Sequence, residues 1–114
     1  MTNYVVVIHK VKNYETWKPA FDRSEELRHE YGVRGGDICR SADDPNEICV
    51  ALECDDLDRA RKLLKLPEIK EFMKEGGVIG EPVCWFMEQV AKVPELTTSG
   101  HGKRYPGGMT SAAD

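Results

Sequence analysis

The sequence predicts an α+β fold of order β-α-β-β-α-β, closing into a four-stranded antiparallel sheet with its helices on one face. Three observations carry this. The stretch Tyr4-Val5-Val6-Val7-Ile8-His9 is apolar at both parities, the pattern of a strand covered on both sides. Residues 14–31 hold a helical apolar stripe, and a segment dense in turn formers, residues 41–46, separates two strand-like stretches as in a hairpin. The 114 residues have room for one domain and one covering layer of helices. The other cover for the first strand must come from elsewhere, most simply from a second copy of the chain.

Each element follows from its residues. Strand one spans about Asn3 to Val11. Asn13 is placed to cap a helix from Tyr14 to Tyr31. On that helix Trp17, Ala20, Phe21, Ser24, Leu27, Arg28 and Tyr31 fall within one arc, a stripe about 120° wide that suits packing on a sheet. Pro19 sits early, where a missing N–H is cheapest, and Gly32 suits a left-handed C-cap. Strand two is Val33 to Arg40, where Gly35-Gly36 suggests a bulge or close approach by another backbone. Strand three is Glu47 to Cys54. If Ser41 faces Glu47, Cys39 faces Cys49, and a one-residue slip removes that pairing. Asp55 or Asp56 caps a helix with Leu57, Ala60, Leu63 and Leu64 on its apolar side. Pro67 starts a further short helix, which ends at Gly76-Gly77. Gly80-Glu81-Pro82 reads as a turn before strand four, residues 83–88. The domain is expected over residues 1–91. Residues 92–114 lose periodicity and read as a C-terminal tail, disordered or packed on a partner subunit.

Right-handed crossovers and short connections arrange this order as the ferredoxin-like sheet, with strand one central between strands three and four. The helix-free face then carries apolar residues of its own. RNA-recognition domains of this topology need aromatic residues on their central strands; Ile48-Cys49-Val50-Ala51 offers none.

The chain resembles the dimeric α/β-barrel proteins, the superfamily that contains the antibiotic biosynthesis monooxygenases. The resemblance lies in His9-Lys10-Val11 ending the valine-rich strand, Asn13-Tyr14-Glu15-Thr16-Trp17 with Phe21 one turn on, the hairpin from Arg40 to Glu47, Asp55-Asp56-Leu57, and Gly80-Glu81-Pro82. It covers about residues 3 to 90. It implies two sheets packed face to face in a homodimer, with a pocket between sheet and helices or within the barrel. Members include cofactor-free oxygenases, haem-degrading enzymes, polyketide cyclases and proteins of no known activity.

On that footing the sequence suggests a protein binding a small apolar or aromatic molecule. It would be a cofactor-independent monooxygenase or cyclase-like enzyme, whose substrate carbanion meets dioxygen directly, with no cofactor. His9, at the end of a central strand, is the candidate base, since an imidazole titrates near working pH; the plainer alternative is a core-edge histidine. Arg40 is the candidate donor to a developing oxyanion, the alternative being a solvated edge-strand charge. Trp17, Phe21, Trp85 and Tyr14 are candidate ligand contacts, although Trp17 and Phe21 at helical spacing also read as core. Two other readings stand beside this one: a non-enzymatic ligand-binding or assembly module, and a haem or metal-binding protein. For a metal, the four cysteines show no CxxC pair, and no ligand set emerges.

Lys and Arg number 16 against 20 Asp and Glu, a net charge of −4. This interspersed, mildly acidic surface argues against nucleic acid and anionic membranes as partners. No apolar run approaches the ~20 residues of a membrane span. The N-terminus lacks the basic and apolar regions of a signal peptide, so the expectation is a cytoplasmic protein.

Overall fold

A computed structural model describes residues 2–96, and the expected tail lies outside the described residues from position 97 onward. The elements are β1 (Asn3–Val11), α1 (Tyr14–Arg23), α2 (Glu25–Glu30), β2 (Val33–Arg40), β3 (Glu47–Cys54), α3 (Leu57–Lys65), α4 (Pro67–Glu75) and β4 (Val78–Glu88). The strands lie in the order β2-β3-β1-β4 and every pairing is antiparallel, so β1 is central as expected. Residues 89–96 form neither helix nor strand.

Local chemistry sets the element ends. The Asn13 side chain accepts the Thr16 N–H at 2.8 Å, and Asp56 accepts from Asp58 and Arg59; each satisfies amides that a helix start leaves unbonded. Gly32 and Gly77 end their helices at φ 77° and 79°, where a Cβ would be strained. Pro67 opens α4 at its first turn.

Three features depart from the sequence reading. The expected single helix over residues 14–31 is broken at Ser24, which has φ −88° and ψ 6°. The Ser24 hydroxyl donates to the Phe21 carbonyl at 2.7 Å and its N–H to the same oxygen at 3.1 Å. This is the local competition by which serine opens a helix; Pro19 lies inside α1 without ending it. The expected turn at Gly80-Glu81-Pro82 is instead part of β4, which reaches back to Val78. There Ile8 pairs with Val83 but Lys10 with Ile79, so β4 takes four steps where β1 takes two. The extra residues form a bulge directly opposite His9, and its proline sits on an edge strand, where a missing donor is tolerated. Trp85, finally, lies on the sheet face opposite to Trp17 and Phe21.

The core lies between the sheet and the helices. Val5, Val7, His9 and Val11 of β1 and Ile48, Val50, Leu52 and Cys54 of β3 point to it, joined by Trp17, Ala60, Leu63 and Ile69. The other face carries Tyr4, Val6 and Ile8, with Ile79, Val83, Trp85 and Met87 each about half exposed. Cys39 and Cys49 face each other across β2 and β3 on that side.

The close approach expected at Gly35-Gly36 is at Gly36, beside the register shift between β2 and β3. A Cβ there would lie 2.0 Å from the Ala51 carbonyl oxygen, whereas one on Gly35 would meet nothing within 4 Å. Gly36→Ala is therefore expected to lower stability by about 1–3 kcal/mol, the scale of overpacking, and Gly35→Ala to change it little. Urea unfolding of both variants checks the contrast; equal losses would remove the backbone contact as its cause.

Candidate functional site

The site is built on the helix-facing side of β1. Alternation places Val5, Val7 and His9 side by side on the floor, with Val50 and Leu52 from β3 next to them. α1 lays Trp17 and Phe21 over this floor, and α3 and α4 add Leu64, Ile69, Phe72 and Met73. Between them is a cavity of about 70 Å³, almost wholly apolar in its lining. Its polar groups are His9, Ser24 and Arg28.

His9 is 6% exposed. Neither Nδ1 nor Nε2 has a hydrogen-bond partner among the described residues, although buried polar atoms are nearly always satisfied. Its ring centroid lies 5.6 Å from that of Trp17, and Trp17 stacks on Phe21 at 4.9 Å and 24°. Burial pushes the imidazole below its ordinary pKa, because the cation would lose its hydration there. His9 is thus neutral at pH 7, and one ring nitrogen is a vacant acceptor whichever tautomer it holds.

Arg28 is the charged side chain of the cavity lining to which the sequence reading gave no role. It comes from α2, half buried, and its guanidinium lies over the Phe21 ring at 3.9 Å from the centroid. Nη1 donates to the Phe21 carbonyl at 2.6 Å and to the Ser24 hydroxyl. Burial pushes its pKa down, with Glu25 and Asp22 acting the other way. The signal was available: a charged residue stood within the apolar stripe.

The structure brings His9, Trp17 and Phe21 together as expected and leaves the other candidates apart. Arg40 shares the sheet face of His9 but lies on edge strand β2, exposed, with its guanidinium 5.6 Å from the Tyr14 ring centroid; neither lines the cavity. Trp85, 52% exposed, faces the open side. Arg40, Tyr14 and Trp85, expected as donor and ligand contacts, therefore lie outside the cavity that holds His9, Trp17 and Phe21. For Trp85 the reason is register, since β4 pairs it with Val6 and not with Val5 or Val7; for Arg40 it is the edge position of β2, with β3 between it and β1. The thiols of Cys49, Cys54 and Cys84, the second buried and the others partly so, are no better placed as nucleophiles, since desolvation pushes each up in pKa. Among the described residues no group of three or more His, Cys, Asp or Glu is placed to hold a metal ion, and no helix is long and apolar enough to cross a membrane.

No protein-family model matches the sequence, and neither does any curated protein. Solved structures do match. SnoaB, a cofactor-independent oxygenase from Streptomyces nogalater, superposes with a TM-score of 0.61 at 17% identity, over 82% of this chain and 98% of its own. An antibiotic biosynthesis monooxygenase superposes at 0.59 and 14%, over 78% and 99%. A protein from Bordetella bronchiseptica, provisionally assigned as another, does so at 0.66 and 12%, over 79% and 98%. The chain has the antibiotic biosynthesis monooxygenase fold. At these identities the likeness concerns the fold alone; unrelated activities share folds, and function must be argued from the site.

Proposed function

We propose that the protein is a cofactor-independent monooxygenase acting on a small aromatic or polyketide-like molecule bound between the sheet and the helices. The observation that carries this is His9: a buried, neutral imidazole whose nitrogens both lack a partner among the described residues, set in the floor of an apolar cavity beside stacked aromatic rings. A buried polar group without partners destabilises the fold by about 1–3 kcal/mol, and a substrate proton would supply the missing bond. His9 would take a proton from an acidic methylene of an aryl ketone. The carbanion would then reduce dioxygen to a hydroperoxide, which loses water to leave a ketone. One oxygen atom of the dioxygen ends in the new carbonyl group and the other in water, which carries away both methylene hydrogens. The four electrons come from the substrate, and the protein needs only a base and a water-poor pocket.

The fold shared with SnoaB, named a cofactor-independent oxygenase, supports this reading. Oxygen uptake across a panel of phenols and aryl ketones bearing an acidic methylene tests it. One dioxygen consumed per ketone formed is expected, with kcat falling by about 10²–10⁴ in His9→Gln. Unchanged turnover in that variant would remove His9 as base.

A second reading, a non-enzymatic ligand-binding or assembly module, is favoured by the cavity's size. Its 70 Å³ is well short of the roughly 300–1,000 Å³ of ordinary ligand pockets, so a substrate would have to widen it. Absence of oxygen uptake across the panel would favour that reading.

The working unit in this proposal is a homodimer of the domain over residues 1–91, joined through the helix-free sheet face. Ile79, Val83, Trp85 and Met87 there are 47–53% exposed, next to Tyr4, Val6 and Ile8. Large contiguous apolar patches are rare on monomers, and a two-fold pairing of this face with itself covers all of it.

A further inference from the structure

Arg28 stands in the lining of the cavity, partly buried. Among the described residues it has no carboxylate partner, although five other Lys–carboxylate or Arg–carboxylate contacts form elsewhere. Its hydrogen bonds all leave from Nη1, to the Phe21 carbonyl and the Ser24 hydroxyl. The Nε and Nη2 donors are not used within the described residues. Those two are the edge of the guanidinium that matches a carboxylate side-on, two parallel N–H···O bonds at once.

The break at Ser24 explains how this cation is held. Three donors, the Ser24 N–H, the Ser24 hydroxyl and Arg28 Nη1, converge on the single Phe21 carbonyl freed at the end of α1. The Phe21 ring, its centroid 3.9 Å from the guanidinium carbon, holds the cation by a cation–π contact as well. Arg28 is therefore a preorganised donor pair, and ordering it costs a ligand little. Its height above the floor matters too. His9 is 6% exposed in the floor, while Arg28 is half buried at the rim, with the Trp17 and Phe21 rings between.

We infer that the cavity takes an aromatic anion, its carboxylate or phenolate oxygens on Arg28 at the rim and its ring lying along Phe21 and Trp17 toward His9. This rests on the reading of the cavity as the ligand site. It also supplies the anion-holding arginine that the sequence reading sought in Arg40, from a different element.

NMR titration of the full chain with benzoate and with benzamide tests it, followed at the His9 imidazole and the Trp17 indole. Benzoate is expected to shift both signals saturably and to bind more tightly than its neutral isostere. Arg28→Gln, which keeps a donor for the Phe21 carbonyl, is expected to weaken benzoate by roughly tenfold or more, the scale of a hydrogen bond to a charged group, and to change benzamide by less than about twofold. Arg28→Lys, which keeps the charge and loses the fork, is expected to fall in between, and it carries the same comparison should the glutamine variant not fold. Equal binding of the two probes, or equal loss of both in either variant, overturns the anion assignment while leaving the pocket in place. If neither probe moves the His9 and Trp17 signals of the unmodified protein, the pocket reading itself fails.

Discussion

Replacing His9 with phenylalanine is expected to stabilise the folded protein while abolishing turnover. The adjoining cavity offers room for the extra volume of phenylalanine, and the substitution removes two buried nitrogens that have no partner among the described residues. The gain at pH 7 should be about 1–3 kcal/mol, the usual penalty of such groups. The pH dependence gives a second reading of the same residue. In the folded state burial holds the His9 pKa below its ordinary value of 6.5. Below pH 6.5 the unfolded chain therefore binds more protons than the folded one, and stability is lost as pH falls from there toward the folded value. That loss should be present in the unmodified protein and absent in His9→Phe. The Asp44 carboxylate, held below its usual range by Lys10, titrates lower and does not enter this window. Urea unfolding at pH 7.5, 6.5 and 5.5 decides the matter. A variant that is less stable at pH 7, or that keeps the same slope, would mean that the imidazole is a satisfied part of the core.

Trp85→Asp should convert a dimer into a monomer. Trp85 is 52% exposed, with Val83 at 47% and Met87 at 51% along the same edge strand, and Val6 opposite it on β1. A carboxylate at the middle of an apolar interface would be buried unpaired, a penalty of several kcal/mol, and each 1.4 kcal/mol is about tenfold in Kd. In the isolated subunit the same side chain is half in water, so folding should survive. Sedimentation velocity over a range of concentrations should find the unmodified chain dimeric and the variant monomeric with an unchanged unfolding midpoint at high dilution. A chain that stays single at tens of micromolar, where a stable dimer would be formed, would refute the shared barrel.

What could be read before the structure divides along physical lines. The N-cap at Asn13 and the left-handed Gly32 follow from a few consecutive residues, and both are found; the Cys39–Cys49 pairing was open to a one-residue slip, and the ladder decides it in favour of the facing pair. Gly35-Gly36 was legible as a close approach, although only the pairing shows that Gly36 alone makes it. The candidate site was half legible. His9, Trp17 and Phe21 share a face because strand and helix periodicities put them there. Arg40 and Trp85 lie outside the cavity, Arg40 because β2 is an edge strand two strands from β1, Trp85 because β4 pairs it with Val6, an alignment that the hydrophobic pattern did not give. Gly80-Glu81-Pro82 has turn chemistry, yet its neighbours on β1 draw it into the sheet as a bulge.

By itself the sequence determined the order of elements, their caps and the two apolar faces of the central strand, since these depend on spacing along the chain. Only the tertiary structure decided that Arg28 reaches the cavity that holds His9 and that Trp85 looks the other way. Those are matters of which surfaces meet. A one-residue change of register or a broken turn reverses them without altering any local preference.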